Sequence, residues 1–237
     1  NSGGTLTGQG EWHEKGGKNT HSLHADLKVH DAGVLLTELG YPNVLQKGNG
    51  EASVSLTWDG TPWSPVVSTI EGPVKVSLAN GSFQQVNTGV GGAVLSLLSM
   101  QSLLKRLQLD FSDLVQNGFS FDTLTSESKV VKGVAYTDGT KVIGSHASII
   151  SSGKADFNTR TIDYDVLVLP DINAAGASIA LAVVNPVAGI GSLVAQLLLR
   201  NPLSKIFSTE YKVQGSFDNP TIEKKSAASK TLEAAEK

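Results

Sequence analysis

Much of this chain alternates apolar and polar residues, which is the pattern of β-strands with one buried face. Between positions 51 and 58, apolar side chains occupy the even positions and polar side chains the odd ones. The same period of two recurs in four further groups: Leu23, Ala25, Leu27 and Val29; Val74, Val76 and Leu78; Ile162, Tyr164, Val166 and Val168; and Tyr211, Val213, Gly215 and Phe217. The alternation predicts a mainly β fold built on an antiparallel sheet with one apolar face.

Four dipeptides are typical of turns and predict where strands are separated: Asp59-Gly60, Asn80-Gly81, Asp138-Gly139 and Ser152-Gly153. Signals for helices are fewer. Asp31 predicts the start of a short helix through positions 34–39, which Gly40 would end. Positions 93–104 and 113–117 are further candidates for short helices.

The segment 172–199 carries neither a charged residue nor a histidine. Pro186 divides it into halves that would each span about 20 Å as a helix. Because a bilayer core is about 30 Å thick, two short apolar helices fit better than one straight transmembrane helix. Three roles stay open: a plug packed on the sheet, a surface that contacts acyl chains or a membrane, and a spanning segment.

If this apolar segment meets lipid, its large aliphatic side chains are the contacts. The candidate lipid- or membrane-contacting residues are Ile179, Leu181, Val183, Val184, Val187, Ile190, Leu193, Val194, Leu197 and Leu198.

Composition excludes several function classes. The chain has 237 residues, a charged fraction of 17% and a net charge of −3, so it offers no basic surface and we expect no nucleic-acid partner. It contains no cysteine, which excludes disulfides, thiolate metal sites and a cysteine nucleophile.

The remaining chemical candidates are weak. His24, Asp26 and His30 would share the polar face of a strand, but Lys28 stands between them and disfavours a cation. The glycines at 89–92 lack the lysine of a phosphate-binding loop, and no nucleophile-elbow motif is present. We therefore expect no metal, no cofactor and no enzymatic activity.

A longer pattern is more specific. The run LSLLSMQSLLKRLQLDFSDL at 95–114, followed by GFSFD at 118–122, resembles the C-terminal region of the YhdP family. Around this run, the motifs Gly40-Tyr41, LTWDG at 56–60 and YKVQGSFDNP at 211–220 occur in the family's order. At 88–92 the chain departs from the family's proline-glycine turn and arginine, and Phe217 replaces a tryptophan.

The resemblance implies an AsmA-like periplasmic protein of Gram-negative bacteria, anchored in the inner membrane by a segment upstream of this chain. It implies a twisted, open sheet shaped as a half-pipe or groove, over residues 1–220, with the apolar segment at 172–199. We expect residues 221–237 to form a polar, disordered tail.

The function implied is that of the distal, C-terminal part of a phospholipid conduit between the inner and outer membranes. Its partners would be phospholipid acyl chains and either the inner leaflet of the outer membrane or an envelope protein. The alternative is a structural docking module that positions the protein there without binding lipid.

Overall fold

The protein folds into one long antiparallel sheet. The computed structural model describes residues 2–84, 119–145, 147–170 and 208–225. These residues form eleven strands, one α-helix and one turn of 3-10 helix. The strands are β1 (Gly4–Lys15), β2 (Lys18–Val29), β3 (Leu45–Thr61), β4 (Ser64–Pro65), β5 (Gly72–Phe83), β6 (Phe119–Val131), β7 (Val134–Ile143), β8 (Ala147–Asp156), β9 (Thr161–Pro170), β10 (Thr209–Ser216) and β11 (Pro220–Lys224). The helix is α1 (Ala32–Glu38), and the 3-10 turn is Val67–Thr69.

Spatial order in the sheet follows chain order. Each strand pairs with its neighbours along the chain, and β4 alone lies off the path, as a two-residue partner of β3. In the described residues β1 and β11 each have a single strand neighbour, so the sheet is open at both edges. The expected mainly β, open antiparallel sheet is confirmed.

Helix α1 begins and ends as the sequence predicts. The Asp31 side chain accepts a hydrogen bond of 3.0 Å from the backbone N–H of Val34, which satisfies one of the free amides of the first turn. Gly40 follows the helix with a φ of +90°, a conformation that glycine adopts without strain. Leu35 and Leu36 turn towards the apolar face of the sheet and pack against its core.

The four dipeptides that predict turns lie inside strands, so that interpretation was wrong. Gly60, Asn80 and Gly139 do have positive φ angles, of 113°, 56° and 86°. Residues that tolerate a positive φ permit a kink or bulge within a long strand as readily as a turn between strands. Two-residue turns lie instead at Gly16-Gly17 and Lys132-Gly133.

The core lies along one face of the sheet as a continuous cluster of buried apolar side chains. It extends from α1 to the last strand and includes Val29, Leu78, Phe83, Phe121, Val142, Ile149, Val168, Tyr211, Val213 and Ile222. A second, smaller group on the opposite face consists of Ile150, Leu167 and Leu169. One face of the sheet is therefore lined mainly by apolar side chains, and the other face is mostly polar.

Some predicted features lie in parts of the chain that the structure does not describe. The candidate helices at 93–104 and 113–117, the apolar segment at 172–199 and the end of the chain after residue 225 lie outside the described residues. Among the helices that the structure describes, none has the length and apolar character needed to cross a membrane.

Candidate functional site: an apolar groove across the sheet

The apolar face forms a groove that crosses the strands, and the pairing register identifies the side chains that share its floor. Antiparallel pairing places directly opposed residues on the same face. One row on the floor consists of Leu6, Leu27, Ala52 and Val76, and the adjacent row of Ala25, Val54 and Val74. The residues predicted from alternation to share an apolar face are thus aligned in rows along the groove.

The groove encloses about 610 Å³ and draws its lining from β2 through β10 and from α1. Seven strand spacings separate β2 from β10, so the floor is roughly 34 Å long. No charged side chain or histidine lines it in the described part of the chain. A bilayer core of about 30 Å contains two layers of acyl chain, so the floor could hold about two acyl-chain lengths end to end.

Part of the floor over β2, β3 and β5 is only half-buried, although its side chains are aliphatic, whereas Ala25, Val29 and Leu78 on the same face are buried. The half-buried residues are Leu27, Ala52, Val54, Leu56, Val74 and Val76. Water-exposed aliphatic surface of this extent is unfavourable, at about 25 cal/mol per Å². This part of the groove is therefore an open apolar surface that an apolar ligand would stabilise.

Hydroxyl groups replace aliphatic side chains on the floor at β6, β7, β8 and β9, where Ser151 is the β8 member. The hydroxyls of Ser126 and Thr140 lie 2.8 Å apart, as do those of Ser128 and Thr137. Thr137 is also 3.2 Å from the phenol oxygen of Tyr164. Burial raises the pKa of the Tyr164 phenol, and its hydrogen bond with Thr137 offsets part of that rise.

A bulge in β7 brings two of these hydroxyls to the groove. Thr137 and Thr140 are three residues apart, and in a regular strand such residues face opposite sides of the sheet. The register shifts against both β6 and β8 between these two positions, where Gly139 has its φ of +86°. The extra residue returns Thr140 to the groove face, where it pairs with Ser151.

An aromatic stack continues the apolar face at one end of the strands. Trp12 pairs with His21, and His21 pairs with Trp58. The His21 ring lies between the two indoles, with ring centroids 6.2 Å from Trp12 and 5.8 Å from Trp58. Trp63, in the short hairpin that joins β3 to β4, is 93% exposed. The end of the sheet formed by β1, β3 and β4 is therefore rich in tryptophan.

The opposite face of the sheet also has a hollow, of about 1360 Å³, beside β1 to β6. Charged side chains line it, and Lys75 and Glu127 form an ion pair of 3.5 Å there. Desolvating such groups under an acyl chain would be costly. Although this hollow is larger, the apolar groove is the better candidate for binding lipid.

The ten lipid-contact candidates between Ile179 and Leu198 lie outside the described residues, so their role stays a prediction. His24 and Asp26 lie 3.8 Å apart on the polar face. In the ranges that the structure describes, no three His, Asp or Glu side chains are arranged to hold a metal ion.

Sequence reasoning missed the hydroxyl groups of the floor. Ser126 and Ser128 continue the alternation of Leu124 and Val130 along β6, so their face was open to prediction. The β7 hydroxyls gave no such signal, because their shared face depends on the bulge.

Comparison with known proteins gives two matches. The family model described as YhdP protein matches residues 1–222. The intermembrane phospholipid transporter YhdP of Escherichia coli (strain K12) is 30% identical over 217 residues, which cover 92% of this chain. The chain spans 17% of the length of that relative. No solved structure matches the chain.

Proposed function

The chain belongs to the YhdP family, and from this we propose that its groove holds phospholipid acyl chains as one section of a transport conduit between two membranes. The observation that carries the proposal is the half-buried aliphatic floor over β2, β3 and β5. The surrounding protein would lie in the periplasm, anchored in the inner membrane upstream, with this section at its distal, C-terminal end.

The physical role of such a groove is to lower the free-energy barrier to moving a lipid between two membranes. Moving an acyl chain through water costs about 0.8 kcal/mol for each CH₂ group, so a chain of sixteen carbons faces a cost of about 13 kcal/mol. Continuous contact with aliphatic side chains removes most of that cost without any covalent step. The proposed function is therefore non-enzymatic.

The apolar segment 172–199 is proposed to extend the same surface at the distal end, towards the outer membrane. Charge placed there would disrupt contact with acyl chains, so Val184→Asp or Leu193→Asp should reduce transport while the protein accumulates normally. Photo-crosslinking from Leu181 and Leu193 tests whether lipid reaches this segment.

Alternation along β5 supplies a sharp test of the groove itself. The Val76 side chain lies on the apolar face with those of Ala52 and Ser126, whereas the adjacent Ser77 lies on the opposite face and does not line the groove. A photoreactive amino acid is placed at either position, the protein is purified without detergent, and crosslinked phospholipid is detected by mass spectrometry. The proposal expects lipid at position 76 and little at 77. Equal labelling at both positions, or none at either, contradicts it.

The exposed Trp63 favours a second candidate, a docking module that holds the protein against the outer membrane or an envelope protein without binding lipid. Tryptophan is enriched both at membrane interfaces and at protein interfaces. Docking predicts that Trp63→Ser abolishes localisation while Val76→Asp does not. The conduit predicts that Val76→Asp, compared with Ser77→Asp, stops transport even when localisation is normal.

A further inference from the structure

We propose that five hydroxyl groups on the groove floor, joined to one another by hydrogen bonds and adjacent to a sixth hydroxyl on Ser151, form a subsite for the ester carbonyl oxygens of a diacyl phospholipid. The hydroxyl cluster consists of Ser126, Ser128, Thr137, Thr140 and Tyr164. The inference rests on the proposed function, because it assigns the part of the lipid that occupies one stretch of the groove.

The cluster interrupts floor rows that are apolar on both sides of it. In one row, Leu27, Ala52 and Val76 lead to Ser126, and Val166 and Tyr211 follow beyond Ser151. In the adjacent row, Ala25, Val54 and Val74 lead to Ser128 and Thr137, and Val213 and Ile222 follow Tyr164. A ligand along the floor would therefore meet apolar, hydroxyl and apolar surface in turn.

The cluster has hydrogen-bond donors to spare. Each of its five hydroxyls carries one proton to donate, and the cluster makes three hydrogen bonds, all between its own members. Two protons therefore have no acceptor in the part of the chain that the structure describes. When acyl chains displace water from the groove, these donors would need acceptors from the ligand, since an unpaired buried donor is unfavourable.

A neutral acceptor suits the cluster better than a head group does. No Lys, Arg, His, Asp or Glu side chain lines the groove within the described ranges, so neither a phosphate nor an ammonium group would find a counter-charge there. An ester carbonyl accepts hydrogen bonds and carries no charge. Diacyl phospholipids place two such carbonyls at the boundary between acyl chains and head group.

The distances along the floor agree with this assignment. Three strand spacings, about 14 Å, separate β6 from β2. That length is close to one acyl layer, half of a bilayer core of about 30 Å. With its ester carbonyls over the cluster, a phospholipid could lay its chains along the half-buried aliphatic floor of β5, β3 and β2.

The test compares lipids that differ only at the ester. The chain is incubated with an equimolar mixture of diacyl and dialkyl phosphatidylethanolamine of matched chain length, and bound lipids are quantified by native mass spectrometry. One hydrogen bond to a carbonyl predicts a preference for the diacyl lipid of about two- to tenfold. Thr137→Val, and separately Ser126→Ala with Thr140→Val, should abolish that preference while dialkyl lipid still binds.

Ser120→Ala is the matched control, because Ser120 and Ser82 form a cross-strand hydroxyl pair, 3.4 Å apart, away from the groove. This variant should keep the preference. If Thr137→Val fails to fold, the half-buried Ser126 and Thr140 still provide the test. Equal binding of both lipids by the native chain, or a preference that survives in the groove variants, overturns the subsite and leaves the conduit intact. Binding of neither lipid overturns both.

Discussion

Tyr164 fills the space that Gly153 leaves free. The two residues are directly paired across β8 and β9. A Cβ atom on residue 153 would clash first with the backbone carbonyl oxygen of Asp163. It would also lie 2.6 Å from the Cα of Tyr164 and 2.8 Å from its Cδ1, closer than carbon atoms can pack. The glycine thus leaves room for the β9 backbone and for the Tyr164 ring, whose phenol reaches Thr137, the residue that pairs with Gly153 from the other side.

Gly153→Ala should therefore destabilise the protein by about 1–3 kcal/mol, because the added methyl group must displace the ring or the backbone of β9. The measurement is the free energy of unfolding in urea. Gly10→Ala is the control, since a Cβ atom there comes no closer than 3.3 Å to its nearest neighbour, the carbonyl oxygen of Ser22. Equal losses in the two variants would contradict the steric explanation.

The raised pKa of Tyr164 predicts a loss of stability in alkali. Burial keeps the folded phenol protonated above its ordinary pKa of 10.0, so the unfolded chain ionises first. The contribution of Tyr164 is fully present below about pH 10 and is lost as pH rises through the folded pKa. Unfolding free energies between pH 8 and 11 should fall less steeply in Tyr164→Phe than in the native chain. If the unfolding free energy falls equally steeply with pH in both proteins, Tyr164 is not the cause of the loss of stability in alkali.

Lys212 should contribute more to stability than an ordinary surface lysine. Its ammonium group lies between Asp163 and Asp165 of β9, and only 27% of its side chain is exposed. Lys212→Met leaves two neighbouring carboxylates with less compensation, so we expect a loss of about 1–2 kcal/mol in urea.

Lys75→Met is the matched control for Lys212→Met. The Lys75–Glu127 pair is 3.5 Å apart, and its two side chains are 59% and 68% exposed. Exposed pairs of this kind contribute little, so the control should change stability by less than about 0.5 kcal/mol. A control as damaging as Lys212→Met would show that partial burial of the charges is not the reason.

Loss of the helix cap should weaken the region around α1. Asp31→Ala removes the acceptor for the Val34 amide and should cost about 1 kcal/mol. Asp31→Asn retains a capping oxygen and should recover most of that loss. If the asparagine variant is as unstable as the alanine variant, the role of Asp31 is not capping.

Much of the fold was predictable from local patterns. Alternation placed Leu27, Ala52 and Val76 on one face, and the register confirms that they are directly opposed. Asp31 and Gly40 were enough to bound α1. These features depend on side-chain period and on capping, which are local properties of a sequence.

The errors arose where one local signal has two structural outcomes. Asn80-Gly81 and Asp138-Gly139 carry turn chemistry, yet each lies within a strand, where Asn80 and Gly139 have positive φ angles. Whether such a pair ends a strand or kinks it depends on the strands on either side, which pattern alone does not reveal. For the same reason the hydroxyls of Thr137 and Thr140 could not be assigned to one face.

The sequential order of the strands has a consequence for how the length of such a sheet can evolve. Among the strands that the structure describes, each except β4 pairs along the sheet with the strands that precede and follow it in the chain. Duplicating or deleting one hairpin would lengthen or shorten the groove by two strand spacings, about 10 Å, and leave every other pairing as it was. A single genetic event that adds or removes one hairpin can therefore change the length of the groove.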